Sequence, residues 1–212
     1  MSLTFVSEFE SRCRAFLQAQ DHADTAHDLN HILRVVKVAK QLASAENADL
    51  AVVVPAAWLH DCVSLPKNHP ERHLASTLAS DKAIEFLASI HYSSEYFDAI
   101  RHSIKAHSFS ANIKAETLEA KIVQDADRLD ALGAVGIARC MQVSGTLNRA
   151  LYASDDPFCE AREPDDSLYS VDHFYNKLLC IAGSLNTPSA RLEGKRREAI
   201  MRSFLDNLAL EI

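Results

Sequence analysis

The chain has 212 residues, 48% hydrophobic and 24% charged, so it is long enough to form a buried core and too apolar to be disordered. Its net charge of −7 argues against an extended nucleic-acid-binding surface but leaves room for a small anionic substrate in a locally positive pocket. No apolar run approaches the roughly 18 residues of a membrane span and no secretory signal is recognisable, so we expect a cytoplasmic protein without membrane contact.

Cysteine and histidine usage narrows the kind of site to expect. The five cysteines are scattered and form no CxxC pair, which argues against a disulfide framework or a cysteine zinc site and is typical of a reducing compartment. The ten histidines are unusually many for this length. Neutral imidazole is the commonest metal ligand in proteins, so the histidines are the first residues to consider for a site.

The first hundred residues predict a succession of helices. "DLNHILRVVKVAKQLASAENAD" predicts a helix with Asp28 as its cap. One face of it carries His31, Val35, Val38 and Leu42. "VPAAWLHD" predicts a second helix with Pro55 in its first turn, where a proline is tolerated. "HPERHLASTLASDKAIEFLASI" and "SSEYFDAIRHSIKAH" predict two more, the latter capped by Ser93 or Ser94.

The remainder of the chain continues in helices with one long interruption. "TLEAKIVQDADRLDALGAVGIARCMQV" predicts a helix bent near Gly133 or Gly136. Residues 145–171 are polar and turn-rich and predict a long functional or mobile loop, and "VDHFYNKLLCIAGSL" and "SARLEGKRREAIMRSFLDNLALEI" predict two closing helices. Because no alternating strand pattern is present, we predict an all-α helical bundle forming a single domain over residues 1–212.

Four polar side chains fall where the helical pattern expects an apolar core: His31, His60, Asp61 and Asp127. Burying such groups without partners costs several kcal/mol each, and one divalent cation would satisfy all four. Two imidazoles and two carboxylates suit Mn²⁺, Fe²⁺ or Zn²⁺ and, less well, Mg²⁺. Neighbours such as His60 and Asp61 lie about 100° apart on a helix, so they can share an ion only where the helix ends.

Each of these signals is weak when taken alone. The chain contains a second His-Asp dipeptide, His27-Asp28, so the dipeptide by itself indicates little. A single histidine on an apolar face, such as His31, is more often a hydrogen-bonded core residue than a ligand. The segment "DADRLD" could be a solvated helix face with i,i+3 pairs. The prediction of a metal site therefore depends on all the segments together.

The segments "HDLNHILRVVKVA", "AAWLHDCVSL" and "IVQDADRLDALGAVGIAR", in this order, resemble the HD superfamily of metal-dependent phosphohydrolases. The resemblance extends from about Ala26 to Arg139, and "DHFYNKLL…NTPSAR" resembles the C-terminal part of a soluble bacterial subfamily, with residues 172–212 completing the domain. It implies an HD-type helical domain. It also implies about one divalent ion per chain, held by His31, His60, Asp61 and Asp127.

Two of these ligand positions have competitors. His27 competes for the first, but the family's histidine shortly precedes an "RV" pair, which selects His31. Asp125 and Asp130 compete for the last, but the family's aspartate follows a small residue in an "AD" step, which selects Asp127. Asp125 would also point roughly 200° away from Asp127 on a helix.

The resemblance implies hydrolysis of a phosphate ester or anhydride, with a nucleotide as the favoured substrate. Four protein ligands leave two positions of a six-coordinate ion for a water and a phosphate oxygen. The ion lowers the pKa of that water, which attacks phosphorus while Asp61 or Asp127 accepts its proton. The alternatives are a nucleotide-sensing or interaction module with a structural metal and no turnover, or a metal-free helical scaffold.

Further residues are candidates for contact with the substrate. His102 and His107 in "IRHSIKAHSF" are candidates for an acid or substrate role, with a second metal or a surface position as alternatives. The candidate substrate-binding residues are Arg34, Lys67, Arg72, His173 and Lys177, and the first three are candidates for phosphate contact.

Several of these assignments have a plainer reading. Arg34 could instead pair with Asp130, and Lys67 and Arg72 could be solvated cations. Ser64 stands where some HD nucleotidases carry an acidic residue, which argues against acid assistance from that position. Cys62 is expected to be a small apolar filler. A homodimer through the C-terminal helices is compatible with the pattern.

Overall fold

The computed structural model describes residues 3–19, 29–63, 65, 69–108 and 111–212. Within these ranges it contains nine α-helices and no strand, which confirms the predicted all-α fold. None of the described helices is long and apolar enough to cross a membrane. The chain divides into two compact units, Met1–Asp127 and Arg128–Ile212, and the single-domain arrangement stays a prediction.

The first unit is built around a completely buried helix. It contains helices α1 (Leu3–Gln18), α2 (Leu29–Glu46), α3 (Leu50–Leu59), α4 (Ala75–Ser89) and α5 (Phe97–His107), and most of α6 (Leu118–Asp130). Residues Ala51–Leu59 of α3 are all buried, because this helix is apolar on every side and α1, α2 and α5 pack around it. The buried helix carries the "HD" dipeptide at its C-terminal end.

Helix α3 begins earlier than predicted, and this changes the place of its proline. Asp49 caps the helix by accepting a hydrogen bond from the Ala51 N–H at 2.8 Å, so Pro55 lies inside the helix and its prediction in the first turn was wrong. Because proline has no N–H, the Ala51 carbonyl loses its usual intrahelical donor. The Tyr92 hydroxyl donates to that carbonyl at 2.7 Å instead, so a side chain from outside α3 compensates for the proline.

Short 3₁₀ turns, Arg72–Leu74 and Ser94–Tyr96, lead into helices α4 and α5. The predicted serine cap of α5 was wrong. Ser93 directs its hydroxyl to Glu95 at 2.8 Å, and among the described residues neither the turn nor α5 has a side-chain cap. The predicted cap Asp28 of α2 lies outside the described residues.

In the second unit the predicted bend is a complete break. Helix α6 ends at Asp130 and α7 (Gly133–Thr146) begins after two intervening residues. Gly133 has a φ of 72°, in the left-handed region that favours glycine. At Gly136 a Cβ atom would lie 2.2 Å from the Ala131 carbonyl oxygen, so the turn also requires a glycine there.

The long segment after α7 lacks helix, as predicted, and is held by specific contacts. A bridge joins Ala150 to Tyr169. Further along, two guanidinium nitrogens of Arg162 donate to the buried carboxylate of Asp172 at 2.5 and 2.8 Å. The Asp156 carboxylate accepts hydrogen bonds from three consecutive backbone N–H groups, those of residues 160–162. The segment is therefore closed by an ion pair at its C-terminal end.

The closing helices differ in one respect from the predicted regular pattern. The helix that follows Asp172 contains a π-helical turn, Phe174–Leu178, before α8 (Leu179–Gly183), and α9 (Pro188–Ala209) completes the chain. Thr187 caps α9 by accepting from the Ala190 N–H, with Pro188 in the first turn, where its missing N–H costs nothing.

Candidate metal centre

The four predicted ligands come from three elements of the first unit. His31 is the third residue of α2 and Asp127 lies on α6, whereas His60 and Asp61 directly follow Leu59, the last residue of α3. Because α3 ends there, the chain turns and both neighbouring side chains reach the same place. His31 and His60 are buried, at 1% and 0% exposure, and the two carboxylates are partly accessible.

Five of the six distances between the four candidate ligands are short enough for one shared ion. His31 Nε2 is 3.4 Å from His60 Nε2, 3.8 Å from Asp61 Oδ2 and 3.4 Å from Asp127 Oδ1. His60 Nε2 is 3.5 Å from Asp61 Oδ2 and 3.9 Å from Asp127 Oδ1. Two donors that each bind one ion at about 2.1 Å cannot be more than about 4.2 Å apart, and all five distances satisfy this limit.

His60 is prepared for metal binding by a hydrogen bond on its far side. Its Nδ1 lies 2.9 Å from the Ala57 carbonyl, which can only accept, so Nδ1 carries the proton and the Nε2 lone pair faces the other ligands. Burial lowers the pKa of His60 and outweighs the opposing effect of Asp61 and Asp127. The imidazole is therefore neutral, as a metal ligand must be.

The charge of the cluster is carried by its carboxylates. Burial by itself would raise the pKa of Asp127, but a hydrogen bond with His31 and the neighbouring imidazoles outweigh it and hold that pKa well below its usual range. Two imidazoles and two carboxylates form a mixed nitrogen and oxygen donor set. That composition fits a divalent transition-metal ion.

His107 joins this cluster from the last residue of α5. Its Nδ1 donates to the Ile104 carbonyl at 2.6 Å, and its Nε2 lies 3.3 Å from Oδ1 of Asp61, the oxygen that does not face His31 and His60. Burial alone would lower the pKa of His107, but the hydrogen bond with Asp61 and the charge of Asp127 outweigh it and raise the pKa. His107 is therefore placed to share a proton with the Asp61 carboxylate.

Gln124 ties the two helices behind the cluster together, and the sequence interpretation overlooked it. Its side-chain amide donates to the Ala106 carbonyl at 2.6 Å, which joins α6 to α5 beside His107. Gln124 lies three residues before Asp127, on nearly the same side of α6. The sequence could have indicated this residue, because Gln124 is an amide placed one turn before the predicted ligand Asp127 on the same helix.

The other predicted residues of the first unit lie in less direct positions. His102 Nε2 accepts a hydrogen bond from the Glu116 N–H at 3.1 Å, so this ring holds the chain before α6. Arg72 donates to the Leu65 carbonyl at 3.3 Å and braces the segment after the "HD" dipeptide. Arg34 lies half-buried on α2. Lys67, like His27 and Ser64, lies outside the described residues.

Two further expectations concern Cys62 and Asp130. Burial raises the pKa of Cys62 to about 12, and its thiol lies 3.3 Å from the Ala79 carbonyl, which fits the expected role of a small buried filler. The Asp130 carboxylate lies in the second unit and accepts from Arg139 at 2.6 Å.

His173 and Lys177 lie in the second unit, at and within the π-helical turn. His173 Nδ1 is 2.6 Å from Asp166 Oδ2, and Asp166 also accepts from Asn176 at 3.2 Å. Burial lowers the pKa of His173 and outweighs the opposing effect of Asp166. Lys177 is exposed. Their contact with a substrate stays a prediction.

Comparison with known proteins identifies relatives along nearly the whole chain. The family model described as HD domain matches residues 28–132. YpgQ of Bacillus subtilis is 32% identical over 192 residues, which cover 89% of this chain and 85% of YpgQ.

The solved structures agree with this relationship. The crystal structure of YpgQ in complex with ADP has a TM-score of 0.72 at 31% identity and covers 95% of this chain and 97% of its own. An HD-superfamily hydrolase from Bacillus thuringiensis has a TM-score of 0.75 at 31% identity and covers 97% of this chain and 96% of its own.

Proposed function

The chain belongs to the HD domain family, a family of metal-dependent phosphohydrolases, and we propose that its substrate is a nucleotide whose phosphate ester or anhydride bond it cleaves with a metal-activated water. The observation that carries this proposal is that both imidazoles, His31 and His60, lie within 3.9 Å of Asp61 and of Asp127, distances that one ion can span. The ADP bound to YpgQ, a relative at 31% identity, supports a nucleotide as the substrate class. A cytoplasmic location is part of the same proposal.

In this reaction the protein's own groups would hold the ion, leave access for the substrate and connect the site to a proton donor. A bound divalent ion lowers the pKa of a coordinated water and neutralises charge on the phosphoryl oxygens. The two histidines and two carboxylates would hold the ion, and the partly accessible carboxylates would leave room for a substrate to approach it. Asp61 has one oxygen toward the ligand cluster and the other toward His107, so it connects the ion to a proton donor.

We assign the proton transfers to Asp61 and His107. Asp61 accepts the proton of the attacking water as the new phosphorus–oxygen bond forms. Nε2 of His107 donates its proton to the departing oxygen as the old bond breaks, and the proton on Asp61 then replaces it across their 3.3 Å contact. Protons and charge balance, with water split between the phosphate and the leaving group.

A non-catalytic nucleotide sensor is the second candidate. The partial exposure of Asp61 and Asp127 favours the enzyme, because a purely structural ion needs no access for water or substrate. The test is to purify the protein with Mn²⁺, determine its metal content, and assay phosphate and pyrophosphate release from a panel of nucleotides. Metal-dependent release supports the hydrolase, whereas bound metal and bound nucleotide without release would support the sensor.

Replacing His107 with asparagine is expected to lower turnover by about a hundredfold, because a positioned proton donor contributes roughly that much. The metal content should remain, since His107 contacts Asp61 from outside the four-ligand set. The measurement is steady-state turnover together with metal analysis.

His102→Asn is the matched control for this experiment. His102 lies on the same helix, but its Nε2 is occupied by the Glu116 N–H, so turnover should stay close to that of the unmodified protein. An equal loss in both variants would contradict the assignment of His107.

A further inference from the structure

A second concave surface of the first unit shares no residue with the metal centre. It is a groove of about 660 Å³ between α1 and α2, with Trp58 of α3 among its lining residues. Its size falls within the range of sites that bind small organic molecules. We call it the Trp58 groove.

The Trp58 groove is positively charged, although the chain as a whole is negative. Arg14, Lys37 and Lys40 line it, together with one acid, Glu10. Lys40 forms an ion pair with Glu10. Arg14 and Lys37 are exposed and have no ion-pair partner among the residues that the structure describes. Two uncompensated cations at a concave surface attract an anion.

The remaining lining of the groove is apolar, with one polar atom that lacks a partner. Leu33, Val36 and Trp58 contribute apolar side chains. Trp58 is only 2% exposed, and its Nε1 has no hydrogen-bond acceptor within the described part of the chain. A buried donor without an acceptor carries a free-energy cost, so the packing around Trp58 is not fully satisfied in its polar contacts.

We propose that the Trp58 groove is a second binding site, for a small anion with a planar ring of the nucleotide class. The ring would lie over Leu33, the most accessible of the apolar lining residues, and the phosphates would contact Arg14 and Lys37. Inorganic phosphate alone would use the cations but leave the apolar lining and most of the groove empty. The site does not depend on the proposed hydrolysis, because none of its residues is a metal ligand.

The Trp58 groove adjoins the helix that leads into the metal centre. Trp58 lies two residues before His60 and is packed in the same buried helix. A ligand that contacts the Trp58 ring therefore contacts the element that positions His60 and Asp61.

The experiment uses the full-length protein stripped of metal with a chelator, so that no substrate is turned over. Trp58 is the only tryptophan, so its emission reports directly on the groove. ADP, adenosine and pyrophosphate are titrated separately, with calorimetry on the same samples. We expect saturable binding of ADP with a change in emission. Adenosine and pyrophosphate should each bind at least about tenfold more weakly, because each lacks one half of the contacts.

Variants separate this site from the metal centre. Arg14→Gln combined with Lys37→Gln should weaken ADP binding by about tenfold or more, whereas Lys114→Gln combined with Lys195→Gln removes the same charge from exposed positions elsewhere and should not. Asp127→Asn should leave ADP binding to the metal-free protein intact.

Three results would overturn the proposal. The first is the absence of both an emission change and a binding heat with ADP. The second is ADP binding that survives the loss of Arg14 and Lys37. The third is binding of pyrophosphate as tight as that of ADP, which would indicate a site for phosphate alone.

Discussion

Replacing Asp127 with asparagine is expected to remove the divalent ion and to lower turnover by about a thousandfold, since the ion supplies several kcal/mol of transition-state stabilisation. Asparagine keeps the shape of the side chain but removes its charge. The remaining donors, two neutral imidazoles and Asp61, then carry one negative charge instead of two against a divalent cation. Metal content and turnover with the best nucleotide of the panel are the measurements.

The control for Asp127→Asn is Asp98→Asn, which removes an exposed carboxylate from the first turn of α5. It should retain about one ion per chain and unchanged turnover. Circular dichroism establishes that the Asp127 variant is folded. A folded Asp127 variant with normal metal content and normal turnover would show that another group completes the site.

Replacing Asp172 with asparagine is expected to reduce the free energy of unfolding by about 3 kcal/mol at neutral pH, because it breaks a buried ion pair on one side only. Asp172 is fully buried, accepts two hydrogen bonds from Arg162 and a third from the Asp165 N–H at 2.6 Å. Asparagine would leave the guanidinium of Arg162 partly buried without its counter-charge. Urea denaturation of both proteins is the measurement.

The dependence of this loss on pH distinguishes the ion pair from packing. Burial alone would raise the pKa of Asp172, but the hydrogen bonds from Arg162 outweigh it and hold the pKa below its ordinary value of 3.8. The stabilisation is therefore fully present above pH 3.8 and is lost as the pH falls through the lowered pKa.

The difference between the two proteins should accordingly shrink in acid. Asp206→Asn, an exposed substitution on α9, should change the unfolding free energy by less than about 0.5 kcal/mol at every pH. A loss at Asp172 that is independent of pH would indicate that packing, and not charge, is responsible.

The helices could be predicted from the sequence because their apolar residues recur with the helical period. This holds for α2 and α9, whose buried and exposed faces alternate clearly. The prediction was wrong in detail where a side chain distant in sequence changes the hydrogen bonding of a helix. Pro55 is accepted inside α3 because Tyr92, distant in sequence, supplies the missing hydrogen bond to Ala51. No local pattern contains that information.

The candidate site, like the fold, was predicted in part from the sequence and determined in part by tertiary contacts. The four ligands were proposed from polar residues at apolar positions and from a resemblance, and the structure brings their atoms within 3.9 Å of one another in each of the pairs measured. The sequence left His102 and His107 equivalent. Their spacing of five residues does not say which faces the cluster, and the end of α5 at His107, together with the Gln124 contact, determines it.

The sequence by itself determined the all-α fold, because helical periodicity is a local property of the chain, and the resemblance of its segments identified the family. The tertiary structure alone decided the tautomer of His60, the contact between His107 and Asp61, the ion pair between Arg162 and Asp172, and the Trp58 groove. Each of these depends on distances between atoms from separate segments or turns. Such distances are set by the packing of the whole unit and not by any one segment.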